Sequence, residues 1–287
     1  MMNEKIYFKM EGPAFLDNMP LHTVLAGLSE LQNIVDRTYL VLSERQRISS
    51  GDRESYRLVA HGFGRGSFWS EIEIFCVVTQ LMLPFVSQLT PKTLWEFTKE
   101  AFAFLKLVLS RSREGRTPSI EASEEGTVNV CYGGNQTFNF NAPVIQIGKQ
   151  VLPHYQHWTQ LVEREGVKEI SMGDRNTPEI RIGRDDTKLF NQPSDLIRNA
   201  ITLRCEIFDF NKYKNSGKLA VASGQAVPEG QYGFSVVGTE DYVQFVRSML
   251  KTSVIVECIQ EMTHNALGER VIAGLQVLRV LAKGHDD

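Results

Sequence analysis

Apolar and polar residues alternate over 5–10, with Ile6, Phe8 and Met10 on one side, the period-two pattern of a short strand. From 21 to 44 the period changes. Leu21, Val24, Leu25, Leu28, Leu31, Val35 and Leu42 fall on one helical stripe behind Pro20, and Glu30, Gln32, Asp36 and Arg37 occupy the face expected to meet water. Residues 56–61 and 67–78 read as a strand pair bent at Gly62, Gly64 and Gly66. In the second strand Phe68, Ser70, Ile72, Ile74 and Cys76 share one side and Trp69, Glu71, Glu73 and Phe75 the other. A phosphate-binding glycine loop would lead into a helix; here a strand follows, so the glycines mark a hairpin bend.

Thr90 and Pro91 form a helix start, as N-cap and first helical residue. Over 92–109, Leu94, Phe97, Ala101, Leu105 and Val108 make a stripe, and Trp95, Phe102, Phe104 and Leu109 extend the apolar surface nearly all round. Together with the apolar stretch 77–86, that circumference suggests an interface between copies of the chain or with another protein. Residues 110–126 are polar and aperiodic, the signature of a linker. Beyond them come a hairpin (127–132 and 137–140), a helix over 143–165 interrupted near Pro153, two short strands (169–172 and 179–182), and a second boundary at 185–193. The remainder holds five short strand-like runs and one helix over 239–250, which fits a small, partly closed β-barrel. The expected architecture is therefore α+β. It comprises an N-terminal strand and helix unit (1–116), a small middle hairpin and helix unit (117–193) and a C-terminal barrel-like domain (194–287).

Composition narrows the class. The 287 residues, 42% hydrophobic and 23% charged, are those of an ordinary globular protein. A formal charge of -3, from 31 basic and 34 acidic side chains, argues against a surface built for polyanions. Two basic clusters remain as local nucleic-acid candidates, Arg45 with Arg47 and Arg111 with Arg113 and Arg116, though Glu114, Glu121, Glu124 and Glu125 dilute the second. Cys76, Cys131, Cys205 and Cys258 stand too far apart for a zinc ribbon or CxxC motif and read as reduced structural thiols. No stretch meets the roughly 18-residue apolar criterion for a membrane span. With no apolar leader in 1–10, the expected setting is the cytoplasm.

Candidate chemistry is sparse. His154 and His157 have the HxxH spacing that places two imidazoles on one helical face, as two ligands to one zinc require, yet the sequence nearby offers no clear third ligand. Glu71 and Glu73 alternate on one strand face, about 7 Å apart, where they can do acid–base work, hold a cation or simply keep the face soluble. Asp185 and Asp186 suit a loop metal site or a solvated turn. In the C-terminal domain, Tyr213, Lys214, Gln231 and Tyr232 lie on polar segments suited to recognition. Nucleophile, base and orienting group cannot be assembled into one constellation, and no cofactor motif occurs. The expected function is thus a non-catalytic binding or assembly protein; the alternative is a metal-dependent nucleic-acid-processing enzyme using Glu71 and Glu73.

The layout resembles a loose group of uncharacterised bacterial and prophage proteins. It shares their opening strand, long amphipathic helix, Gly-Ser-Phe strand start (Gly66, Ser67, Phe68), apolar helices, short Asn-bearing hairpin and small β-rich C-terminal domain. The resemblance implies a context in mobile elements or anti-phage systems and carries over no catalytic residue.

Overall fold

The computed structural model describes residues 2–17, 19–64, 67–77, 79–80, 88–122, 127–132, 136–191, 194–238 and 242–281. Gly66, the 81–86 stretch, the hairpin tip 133–135 and the linker residues 123–126 lie outside them. The chain is α+β and divides into two compact units: residues 1–192 with Asn265–Glu269, and Pro193–His264 with Arg270–Asp287.

In chain order the first unit comprises β1 (Met2–Glu11), α1 (Leu21–Leu42), α2 (Ser50–Ser55), β2 (Tyr56–His61) and β3 (Phe68–Cys76). A two-stranded pair, β4 (Thr79–Gln80) and β5 (Gln88–Leu89), leads to α3 (Pro91–Arg113). Then come a three-stranded sheet of β6 (Ser119–Ala122), β7 (Thr127–Tyr132) and β8 (Gln136–Asn141), followed by α4 (Ala142–Arg164), β9 (Glu169–Gly173), β10 (Pro178–Gly183) and α5 (Arg184–Phe190). β10, β9, β1, β3 and β2 join in that order as an antiparallel sheet. Ile6, Phe8, Met10, Ile72, Ile74, Ile170, Met172, Ile180 and Ile182 bury one face in a core shared with α1, α3 and α4.

That core corrects the expected separate middle unit. β9 takes the edge of β1 that β3 leaves free, and Val144, Ile147, Val151 and Trp158 of α4 pack with Ile6, Phe8 and Leu31. A strand edge and an apolar helix face were both available, and residues 142–183 fill them. The expected linker also contains structure, since α3 runs on to Arg113 and β6 pairs with β7. Within 185–193, α5 occupies most of the proposed boundary.

Helix α3 is covered by its own unit. Trp95, Phe102 and Phe104 are 2%, 6% and 0% exposed. The Trp95 indole N–H donates to Glu179 Oε2 (2.7 Å), Phe102 packs on Tyr155 and Phe190, and the Phe104 ring meets Phe140 edge-on at 5.4 Å. These residues are therefore core anchors and do not form an interface. The buried stripe of α1 is also rotated from the expected one. Leu21 and Leu25 are exposed, whereas Ile34, Thr38 and Asp36 are buried. Arg53 donates to both Asp36 oxygens (2.8 and 2.5 Å), which satisfies the carboxylate away from water.

The second unit is a closed barrel of β11 (Asp195–Asn211), β12 (Ser216–Val221), β13 (Gly230–Val236), β14 (Val254–His264) and β15 (Arg270–Leu281), with α6 (Tyr242–Ser248) between β13 and β14. Around the barrel the order is β11-β12-β13-β15-β14, and β13 and β15 run parallel. A helix between the third and fourth strands with this order is the connectivity of OB-type Greek-key barrels. Leu203, Ile207, Leu219, Phe234, Val256 and Val277 fill the interior, and Phe245 of α6 stacks on Phe210 at 5.1 Å. No helix among the described residues is long and apolar enough to cross a membrane.

Candidate binding groove and histidine–carboxylate cluster

The face of the five-stranded sheet opposite the core carries a groove of about 590 Å³. Alternation along β1 points Tyr7, Lys9 and Glu11 toward this face. The register sets Trp69, Lys9, Ser171 and Arg181 side by side across β3, β1, β9 and β10. From the β9–β10 turn, Arg175 reaches over two rings, its guanidinium 5.7 Å from the Tyr7 centroid and 5.9 Å from Trp69. Trp69 is backed by the β2–β3 connection. Gly62 adopts a left-handed φ of 70°, as expected of the bend. Gly64 approaches the indole so closely that a Cβ there would lie 1.5 Å from Trp69 Nε1. Only glycine lets the backbone rest on that ring.

Glu71 and Glu73 share this sheet face but do not line the groove. Glu71 takes an ion pair from Lys5 (2.6 Å) and a hydrogen bond from the Tyr7 hydroxyl (2.9 Å). Glu73 accepts from Asn3 (2.8 Å) and meets His61 Nε2 at 2.7 Å. The Lys5 and Tyr7 hydrogen bonds hold the Glu71 carboxyl below its ordinary range, and those from Asn3 and His61 do the same for Glu73. A lowered pKa suits an ion pair or a cation ligand better than a general acid, and here the contacts of both carboxylates tie β3 to its neighbouring strands. Asp186 accepts the Gly183 N–H (3.0 Å) and pairs with Lys106 (2.7 Å), a cap for α5; Asp185 beside it is exposed. These four carboxylates do not converge in the groove.

The two histidines do acquire a third partner, on another element. His154 and His157 lie on one face of α4, which continues through Pro153. Glu30 of α1 faces both, with Oε2 2.6 Å from His154 Nδ1 and Oε1 2.9 Å from His157 Nδ1. Side-chain exposure is 16% for Glu30, 15% for His154 and 56% for His157. Beside the cluster, the Trp158 indole N–H donates to the Gly27 carbonyl (2.9 Å) and fixes α4 against α1. One open groove of about 630 Å³ reaches His154, and another of about 210 Å³ reaches Glu30 and His157. Glu30 was placed in water by the sequence pattern. Its signal was only its position three residues after Gly27, where the helices approach. Near the start of α1, His22 meets Glu165 at 2.8 Å and lowers that carboxyl's pKa.

The remaining candidates are dispersed. Tyr213, 88% exposed, and Lys214 sit on the β11–β12 turn, where both backbone N–H groups donate to Asn211 Oδ1 (3.0 and 3.2 Å). Gln231 and Tyr232 pair with Ala220 and Leu219 farther along β12, while Ser235 pairs with Ser216 at the turn. The Tyr232 ring packs against the barrel core and its hydroxyl donates to the Pro228 carbonyl (2.9 Å). At about 3.4 Å per residue, roughly 10–14 Å of strand separates these pairs from the turn, so Gln231 and Tyr232 lie on β13 and not on the loop that carries Tyr213 and Lys214. Arg45 is paired with Asp52, and Arg111 with Glu114 (3.1 Å), which leaves neither basic cluster fully uncompensated. All four cysteines are free thiols; burial pushes those of Cys76 and Cys205 up to about 12 and that of Cys258 to about 11.

No family model matches this chain, and no curated protein or solved structure matches it either.

Proposed function

We propose that the protein is a non-catalytic binding protein that grips a polypeptide partner in the sheet groove of its first unit. The observation that carries this reading is the Tyr7–Arg175–Trp69 cluster at the groove. Trp, Tyr and Arg are the residues that dominate protein–protein binding energy, because each supplies large contact area at modest entropic cost. Stacking of Arg175 on two rings orders all three before a partner arrives, which reduces the entropy lost on binding. The other lining charges are mixed, with Lys9 and Arg181 against Glu11, Glu169 and Asp174. Mixed signs suit a polypeptide carrying both charges better than a nucleic-acid backbone. The Glu71 and Glu73 carboxylates are taken up by Lys5, Tyr7, Asn3 and His61 and lie outside the groove, which weighs against the enzymatic alternative. The resemblance in layout implies a mobile-element or anti-phage setting, and the sequence reading places that role in the cytoplasm.

The test is affinity capture in the native host by the full chain, alongside Trp69→Ala and Arg175→Ala. Wild type should retain a partner at fixed stoichiometry, and each variant should bind it at least about 30-fold more weakly with unchanged far-UV circular dichroism. Equal retention by both variants places recognition elsewhere and overturns the reading.

A further inference from the structure

We propose that Glu30, His154 and His157 form a binding site for a divalent first-row transition ion, zinc foremost. Their nearest ligand atoms all lie within 4.8 Å of one another, although they come from two helices and Glu30 is 124 residues from His154. Two imidazoles and one carboxylate are the donors zinc takes where the protein supplies three ligands and leaves a fourth position open. Calcium and magnesium require a shell of oxygens, and the two nitrogens here discriminate against both.

The geometry needs little change to accept the ion. Without metal, one carboxylate bridges two Nδ1 atoms through hydrogen bonds. With metal, each imidazole carries its proton on Nε2, and the Nδ1 lone pair that faces Glu30 becomes the ligand. Metal–ligand bonds of about 2.1 Å at tetrahedral angles set ligand atoms about 3.4 Å apart. The present separations of 2.6 and 2.9 Å, one to each Glu30 oxygen, open by less than about 1 Å, and with all three ligand atoms already within 4.8 Å of one another the rest is supplied by rotations of the Glu30 and histidine side chains. The backbones stay fixed, because Trp158, next to His157, is fully buried and anchored on the Gly27 carbonyl. His157 is more than half exposed, so water can enter and complete the coordination. An ion held this way ties α1 to α4, and metal loading becomes a stability measurement.

Metal-stripped full-length protein, titrated with Zn²⁺ by calorimetry and with Co²⁺ by absorbance, tests the site. A single equivalent of zinc should bind and raise Tm. The cobalt complex should show visible ligand-field bands without the near-ultraviolet thiolate band that the cysteines would give. Glu30→Gln, His154→Ala and His157→Ala should each weaken zinc binding by more than about tenfold while the metal-free circular dichroism stays unchanged. Absence of stoichiometric zinc in wild type, a thiolate band, or wild-type affinity in the three variants overturns the assignment. Glu30→Gln keeps the size of the side chain and can still hydrogen-bond an imidazole. It separates loss of a ligand from loss of packing.

Discussion

Several side chains here are set by what they bond. Glu30, Asp36, Glu71 and Glu73 are all strongly polar, yet each is held by partners on another element. Tyr155 is the opposite case. It is fully buried between Phe102, Phe190 and Trp158, and its hydroxyl finds no hydrogen-bond partner among the described residues. Burial alone raises its pKa. A buried donor without an acceptor forfeits its hydrogen bonds to water, at a cost of about 1–3 kcal/mol. Tyr155→Phe removes that group and leaves the ring packing in place. The variant should be as stable as wild type or more stable by up to about 1 kcal/mol in urea denaturation. A clear loss of stability would show that the hydroxyl is satisfied.

At the scale of elements, the sheet face is stitched by cross-strand carboxylate contacts. Glu71 is bonded from β1, and Glu73 from β1 and β2. Both carboxyls are held below their ordinary value of 4.5. A lowered folded-state pKa means that the charged form is the stabilised one. The contribution is therefore complete above about pH 4.5 and is lost as pH falls through the lower folded-state values. The stability gap between wild type and Glu73→Gln should be present above about pH 4.5 and should close as the pH falls below it. Thermal unfolding measured from about pH 5 to about pH 3 checks this; a gap that persists or widens over that range contradicts it.

At the scale of the whole molecule, the division into two units has a direct consequence. The barrel closes on itself, so it has no unpaired sheet edge, and it carries its own interior from Leu203 to Val277. A fragment of residues 193–287 should fold alone and melt cooperatively by circular dichroism, whereas a fragment of 117–192 should not, because its strands and helix complete the sheet and core begun by residues 2–113. A cooperative melt from the latter would restore the middle unit as a separate domain.

What the chain order of residues determines by itself is local. The alternation over 5–10 and 68–76, the helical stripes, the Thr90 cap with Pro91, and the closely spaced strands after 194 all specify elements, because each pattern acts within a few residues. An α+β protein with a small barrel was legible from them. Which faces meet was decided by tertiary structure alone. The apolar circumference of α3 implied a partner, and the partner proved to be the rest of its own unit, since α4 and α5 supply Tyr155 and Phe190. HxxH was visible but its third side chain was not, and the stacking of Arg175 on Tyr7 and Trp69 left no trace in any period. Periodicity tells a residue which way it points along its own element. Only the packing of distant segments tells it what it meets there.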